Sequence, residues 1–377
     1  MKAETLGAPQ NVPWWIDPLL LTLCNLALAF AFSALLVWFI GESPPAIAAE
    51  LLRGAFGSAE AVGYTLFYAT NFIFTGLAVA VAYHCGLFNI GGEGQAYIGG
   101  LGLGLVALYM DALPFPLLLL CAMLAAALFG AGWSLVPAVL QAKRGSHVVI
   151  TTIMFNFIAA ALMNYLLVNV LIKPGSMSPE TRVFADSAHL PMVHDLAAAV
   201  GLGLSASPLN LSFFIALLCC AATWLFLWHT PWGYEVRTVG GNPRAAVYAG
   251  ISPSRCIILA MCLSGGLAGL LSLNEILGSQ HRLLIEFTAG YGFVGIAVAL
   301  MGRSHPAGIV LAAILFGALY QGGAELAYTF ERISKDIVIV IQGLVILFTG
   351  ALGFMLRPPL GAAWAKIFRG GGGRAVA

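Results

Sequence analysis

Ten apolar segments follow one another along the chain, at residues 18–40, 61–83, 92–110, 114–138, 147–171, 209–229, 256–277, 290–302, 306–323 and 336–356. Short polar breaks separate them, apart from one long connection at 172–208. At 1.5 Å per residue, a helix of about 20 residues crosses the ~30 Å hydrocarbon core of a bilayer. Most of the segments meet or approach that length, whereas 290–302 reaches only about 20 Å. The first run is longer than the 7–15 apolar residues of a cleaved signal and reads as a first span. The pattern predicts an all-α polytopic membrane protein of about ten transmembrane helices. It places a transmembrane domain at 18–356 between an N-terminal segment, 1–17, and a C-terminal tail, 357–377.

Ten spans divide into halves of five, about 18–171 and 209–356, joined by an outer loop at 172–208. An odd number of spans per half gives the halves opposite orientation. In each half an apolar helix is followed by a Gly- and polar-rich interruption and then a shorter Gly-rich helix. The interruptions fall at 84–92 and 278–289. Paired interruptions of this kind point to a substrate pathway near the bilayer midplane.

Composition agrees with the pattern. Of 377 residues, 60% are hydrophobic and only 9% charged, against roughly 25% charged in a soluble domain. That excludes a cytosolic globular enzyme, a nucleic-acid binder and a disordered chain. The net charge of +1 provides no basic patch. The positive-inside rule fixes the orientation. With the N-terminus inside, the inner face holds Lys2, Lys143, Arg144, Arg237, Arg244, Arg255, Arg303, Arg357, Lys366, Arg369 and Arg374. The outer face holds Arg53, Lys173, Arg182, Arg282, Arg332 and Lys335. Both termini are then cytoplasmic. The seven cysteines fall nearly all in apolar runs and form no CxxC pair, so they read as small buried hydrophobes with no disulfide and no metal.

No catalytic constellation stands out: HExxH and GxSxG are absent. None of the five lysines follows a glycine, so there is no Walker A and no route to ATP through it. Carboxylates at membrane depth are few, and the polar residues there are mostly neutral amides and hydroxyls, which suit a neutral, hydrogen-bonding solute better than an ion. The run from His84 to Tyr97 packs Gly86, Gly91, Gly92 and Gly94 around Phe88, Asn89, Glu93 and Gln95. Irregular backbone at this depth is tolerated where it is buried in protein or lines a wet cavity. Glu93 also begins the next helix, where a carboxylate suits the positive end of the dipole. The candidate pathway is Asn71, Thr75, Phe88, Asn89, Glu93, Gln95 and Asn156 in the first half, with Asn274, Tyr291 and Phe293 in the second.

Thr230 to Ile251 is the longest cytoplasmic connection and is more elaborate than a tether requires. Asn242 or Pro243 can start a short helix through Ala245, Ala246 and Tyr248, stopped by Gly250. A helix on that face is a docking element for another protein.

These runs resemble the permease subunits of ABC importers of the branched-chain amino acid and simple sugar class. GLFNIGGEGQ at Gly86 to Gln95 is similar to the motif of the nucleoside and simple-sugar branch, as are Phe74-Thr-Gly-Leu and Thr151-Thr-Ile-Met-Phe-Asn. Thr230 to Ile251 resembles the coupling loop, Gly290 to Ile309 the second-half signature, and Ile341 to Phe348 the closing motif. Length and GLFNIGGEGQ are closest to the larger nucleoside permease subunit. The resemblance implies a ten-span core of inverted halves with interrupted helices at the centre. It implies partners: a cytoplasmic ATP-binding subunit, a second and paralogous permease subunit, an extracytoplasmic substrate-binding protein and the lipid of a bacterial inner membrane. It also implies that the chain is not an enzyme and needs no cofactor. The ATPase would meet the coupling loop at 230–255, with Gly233, Arg237, Gly240, Asn242, Pro243, Ala245, Ala246, Tyr248 and Gly250 as its candidate residues. A neutral nucleoside is the expected solute. A ribose-like sugar, a riboflavin-like solute and, less favoured, ion-coupled secondary transport remain open.

Overall fold

A computed structural model describes residues 16–348, except 202, 331 and 334–336. The tail at 357–377, the N-terminal segment up to residue 15 and the end of the tenth apolar segment lie outside the described residues. Among the described residues no named strand occurs, and the only bridges are isolated pairs, Glu180 with Leu284 and Met192 with Asn210.

The helices run α1 Ile16–Ile40, α2 Pro44–Phe56, α3 Ala59–His84, α4 Gly92–Tyr109, α5 Phe115–Arg144 and α6 Val148–Asn169. They continue α7 Val193–Ala199, α8 Ser212–His229, α9 Pro231–Gly241, α10 Pro243–Tyr248 and α11 Pro253–Gly269. A π-helical stretch, Leu273–Gln280, prolongs α11. It is followed by α12 Tyr291–Met301, α13 Pro306–Thr329 and α14 Ile337–Phe348.

Six helices are long and apolar enough to cross a membrane: α3, α5, α6, α8, α11 with its π-helical extension, and α13. The α1–α2 pair, bent by 116°, brings the number to seven if it is taken as one span. Besides α1, three of the ten apolar segments are not among these six; of the tenth, the described residues hold only α14, Ile337–Phe348. Helix α12 has 11 residues, about 16 Å of rise. Helix α4 has 18 residues but is glycine-rich and buried along nearly its whole length, so protein rather than lipid surrounds it. Helix α2 lies in what the apolar pattern reads as a loop; Pro44 and Pro45 open it, where a missing N–H leaves no bond unmade.

The chain divides into two units, residues 1–50 with 324–377, and residues 51–323. In the first, Arg332 lies 4.0 Å from Glu42, and Phe32 packs on Phe348. The second holds the site. Helix α3 is its centre, with 89% of its spanning window buried, as expected for a helix that is apolar all round. Helices α5, α6 and α8 are buried over only 22%, 28% and 33% of their spanning windows and form its rim. Helix α11 packs on α5 and α4 through small residues. A Cβ on Gly265 would lie 2.4 Å from the Gly130 carbonyl oxygen, and one on Gly99 would lie 2.4 Å from the Gly269 Cα. Such seams replace the hydrophobic drive that lipid does not supply. Ser134 ties the same crossing by donating to the Met261 carbonyl at 2.9 Å.

The long connection at 172–208 is ordered against the second interruption. The Thr181 amide donates to the Leu283 carbonyl at 3.1 Å, Phe184 to His281 at 2.8 Å and Leu190 to Leu277 at 3.0 Å. Arg282 pairs with Glu180 at 3.0 Å.

Candidate functional site

The two interruptions meet. Helices α4 and α12 present their N-termini to each other so closely that a Cβ on Gly292 would lie 2.3 Å from the Glu93 amide nitrogen. The residue before α12, Gly290, has φ +79°, which only glycine adopts freely. Ala289 and Glu286 nearby also have positive φ, so the approach to α12 is strained backbone.

Glu93 closes this junction. One carboxylate oxygen accepts from the Thr288 hydroxyl at 2.5 Å and the Gly290 amide at 2.9 Å, and the other accepts from the Gly292 amide at 2.8 Å. Glu93 lies in the first turn of its own helix, α4, and its oxygens also accept the amides at the N-terminus of α12. Each oxygen is occupied by protein donors.

Most of the other pathway amides hold backbone. Asn89 and Gln95 pair with each other, Asn89 also donates to Ser264 at 2.8 Å, and its oxygen accepts from the Gly91 amide at 2.8 Å. Asn156 takes the Gly94 amide at 2.9 Å and donates to the Ile90 carbonyl at 2.9 Å. Thr75 bonds back to the Asn71 carbonyl at 3.0 Å and packs on Gly295. Phe88 is half-buried in the α3–α4 connection, and Phe293 is 47% exposed on the outside of α12.

A second constellation gathers Asn71, Asn274 and Tyr291 with residues that the sequence pattern does not single out. Asn210 and Ser212 donate to the Asn274 oxygen, each at 2.9 Å. Asn274 donates to the Asn71 oxygen at 2.9 Å and the Phe67 carbonyl at 3.0 Å, and Asn71 donates to Glu275 at 2.6 Å. This relay of amides ends on a carboxylate that is 5% exposed. Asn274 and Glu275 lie in the π-helical stretch, a winding that is rare and concentrates at functional positions. Asn71 is the sole hydrogen-bond partner of Glu275 among the described residues.

Beside it stands an aromatic cluster. Phe72 packs edge-on against Tyr291 at 5.6 Å, Tyr320 at 5.0 Å and Phe316 at 6.2 Å. Tyr68 lies 5.7 Å from Tyr320 and 6.4 Å from Tyr291. Tyr68 and Tyr291 are within electrostatic range of Glu275. None of the three tyrosine hydroxyls has a hydrogen-bond partner among the described residues, and none is sealed from solvent.

At the other end of α3, Thr230 and Asn242 cap consecutive helices. Thr230 accepts from the Gly233 amide at 3.1 Å, and Asn242 accepts from Arg244 and Ala245 at 3.0 and 3.1 Å. Pro231 and Pro243 each open a helix, and Gly250, at φ +77°, follows the second. Gly233 packs on the end of α8, and Val236, Val239 and Ala246 are buried against Val81, Cys85 and Leu87. Arg237 donates to the Leu227 carbonyl at 2.9 Å. A Cβ on Gly240 would lie 2.1 Å from the His84 carbonyl oxygen. Pro243, Ala245 and Gly250 are exposed, and Tyr248 is 95% exposed.

At the margin of the second interruption, His281 stacks on His189 with ring centroids 3.8 Å apart. Burial, and then the neighbouring His189, lower the His281 pKa below that of ordinary histidine; the Leu277 backbone carbonyl, as an acceptor, and the charge of Asp186 oppose the shift.

A bundle of apolar helices built around two facing half-helices, with an amide relay ending beside an aromatic cluster, defines a multi-pass membrane permease. The family model described as the permease component of branched-chain amino acid transport systems matches residues 61–350, and the chain belongs to that family. The guanosine ABC transporter permease protein of Bacillus subtilis is 35% identical over 340 residues, 89% of this chain and 94% of the relative. The glucose ABC transporter permease protein of Haloferax volcanii is 34% identical over 368 residues, 96% and 94% of the two chains. The nucleoside ABC transporter permease protein of Lactococcus lactis is 32% identical over 348 residues, 92% and 94%. The Bacillus and Lactococcus strains each hold a second matching permease. No solved structure matches the chain. The chain is a permease subunit of an ABC importer and not itself an enzyme; ATP hydrolysis belongs to separate subunits.

Proposed function

We propose that this permease carries a neutral nucleoside or a related small solute into the cytoplasm, past the aromatic cluster of Tyr68, Phe72, Tyr291 and Tyr320. The observation that carries the reading is the juxtaposition of unpartnered tyrosine hydroxyls, phenylalanine faces and one buried carboxylate in the centre of the bundle. Rings and hydrogen-bonding groups together suit a base attached to a sugar. The Bacillus and Lactococcus relatives, named for guanosine and nucleosides, support it.

The reading includes the wider assembly. Two inverted five-span halves are supported by reciprocal packing, α3 of the first half on α12 of the second and α11 on α4. The cytoplasmic ATPase docks on 230–255 through exposed residues of α10, while buried Ala246 and Gly233 keep that loop seated. A paralogous second permease completes the pathway, and an extracytoplasmic binding protein delivers solute. The chain lies in a bacterial inner membrane with both termini cytoplasmic, as its Lys and Arg distribution supports. Full occupation of the Glu93 oxygens by protein donors argues against ion coupling there.

The test is initial uptake of labelled guanosine, adenosine and ribose by cells with and without this gene. Gene-dependent nucleoside uptake is expected. Loss of ribose uptake alone would move the assignment to a sugar, the reading that the Haloferax relative favours.

A further inference from the structure

Glu275 is a buried carboxylate whose full bonding capacity the fold does not use. A carboxylate offers about four acceptor sites. Asn71 fills one, and no other hydrogen bond reaches Glu275 among the described residues. Among the described residues no cation pairs with it; Asn71 bonds it, and Tyr68 and Tyr291 are within electrostatic range. A charge left this way in a hydrophobic bundle is costly unless something pairs with it. The relay from Asn210 and Ser212 through Asn274 and Asn71 fixes its position rather than neutralising it. The hydroxyls of Tyr68, Tyr291 and Tyr320 have no protein hydrogen-bond partner among the described residues.

We infer that Glu275 is a specificity-determining residue that accepts hydrogen bonds from the donor edge of a purine base lying among Tyr68, Tyr291 and Tyr320. The inference rests on the nucleoside reading above and narrows it. A guanine-type edge presents a ring N–H beside an exocyclic amino group, two donors side by side, which match the two oxygens of a carboxylate. An adenine edge presents an amino group beside a bare ring nitrogen, and that lone pair faces the carboxylate unfavourably. The aromatic rings on several sides of the carboxylate favour a flat heterocycle over a sugar alone. The position selects by penalty as much as by attraction, since a solute without the paired donors leaves the charge unmet.

The experiment uses cells lacking the chromosomal gene and carrying wild-type, Glu275→Gln or Tyr291→Phe protein, with membrane abundance followed by immunoblot. Competing nucleosides are labelled guanosine, adenosine and 2′-deoxyguanosine. At equal abundance, Glu275→Gln is expected to lower guanosine uptake relative to adenosine by about tenfold or more. Tyr291→Phe keeps the ring and removes a hydroxyl that no protein group uses, so it stays folded; it is expected to raise the apparent KM for guanosine without changing membrane abundance. Should Glu275→Gln fail to accumulate, the Tyr291→Phe result decides. An equal fall for guanosine and adenosine, or an unchanged KM in Tyr291→Phe, overturns the assignment. So does a Glu275→Gln protein that loses only its preference for guanosine over 2′-deoxyguanosine, because the carboxylate then reads the ribose. Absence of any nucleoside uptake by the wild type would instead overturn the nucleoside reading itself, and this inference with it.

Discussion

Replacing Glu93 with Gln probes the junction of the two half-helices. The side chain keeps its length, but one oxygen becomes an amino group. In one orientation that group faces the Gly292 amide, now 2.8 Å from an acceptor; in the other it faces the Gly290 amide, now at 2.9 Å. Either way one buried N–H loses its partner and meets another donor. An unsatisfied buried donor costs about 1–3 kcal/mol, and loss of a partly buried charge from a helix N-terminus adds about 1 kcal/mol. The sum is about 2–4 kcal/mol. Thr288→Val removes one of the three bonds and leaves both amides capped, so its cost is about 1 kcal/mol. The assay is thermal unfolding of the detergent-solubilised complex, followed by loss of its size-exclusion peak. Glu93→Gln should lower the midpoint by about 5 °C or more and Thr288→Val by clearly less. Collapsing the proton gradient at constant ATP should not change wild-type uptake. A Glu93→Gln protein as stable as wild type would refute the capping argument, and uptake that tracks the gradient would favour an ion-coupled carrier.

Further outcomes are expected elsewhere. Gly269→Val should prevent accumulation of folded protein, because even a Cβ there lies 2.3 Å from the Ala126 carbonyl oxygen; normal expression and uptake would contradict the small-residue seam. Tyr248→Ala should leave thermal stability unchanged, its side chain being almost wholly exposed, while reducing co-purification of the ATPase; undiminished co-purification would move the docking surface elsewhere. Gly240→Ala, by contrast, should lower stability, since its Cβ meets the His84 carbonyl. His281 has a folded pKa below the ordinary value of about 6.5, so the unfolded chain takes up its proton first as pH falls. Stability from this group is complete above pH about 6.5 and is lost on acidification; unfolding midpoints at pH 7.5 and 5.5 should differ less in His281→Asn than in wild type.

The apolar runs made most helices legible, since burial in lipid or in a lipid-facing bundle demands long apolar stretches and little else. They do not tell a full crossing from a short, enclosed helix such as α12. Asn242 and Pro243 announced α10, and Thr230 with Pro231 carried the same signature for α9, although the sequence reading stopped at the second helix. At the site, amides were legible as polar residues at membrane depth, but their partners were not. Whether Asn89 faces a solute or Gln95 depends on helix rotation and on contacts 175 residues away. Tyr68 and Phe72 were overlooked because aromatic residues are ordinary in an apolar helix, yet they lie three before and one after Asn71 in the same turns of α3. Glu275 reads as a carboxylate near the outer end of its apolar segment, and the π-helical winding that holds it has no sequence signature.

The meeting of Gly240 with His84 and Gly86 has a mechanical meaning. Side chains bend and change rotamer, so contacts made through them absorb displacement. Here a Cβ on Gly240 would lie 2.1 Å from one backbone carbonyl oxygen and 2.9 Å from the Gly86 amide nitrogen, and main chain rests on main chain with nothing compliant between. Helix α9 therefore has no slack against the end of α3. A push on α9 arrives undamped at the break where the chain turns toward Asn89, Glu93 and the facing half-helix, about as a rigid rod delivers its full stroke to the part it touches.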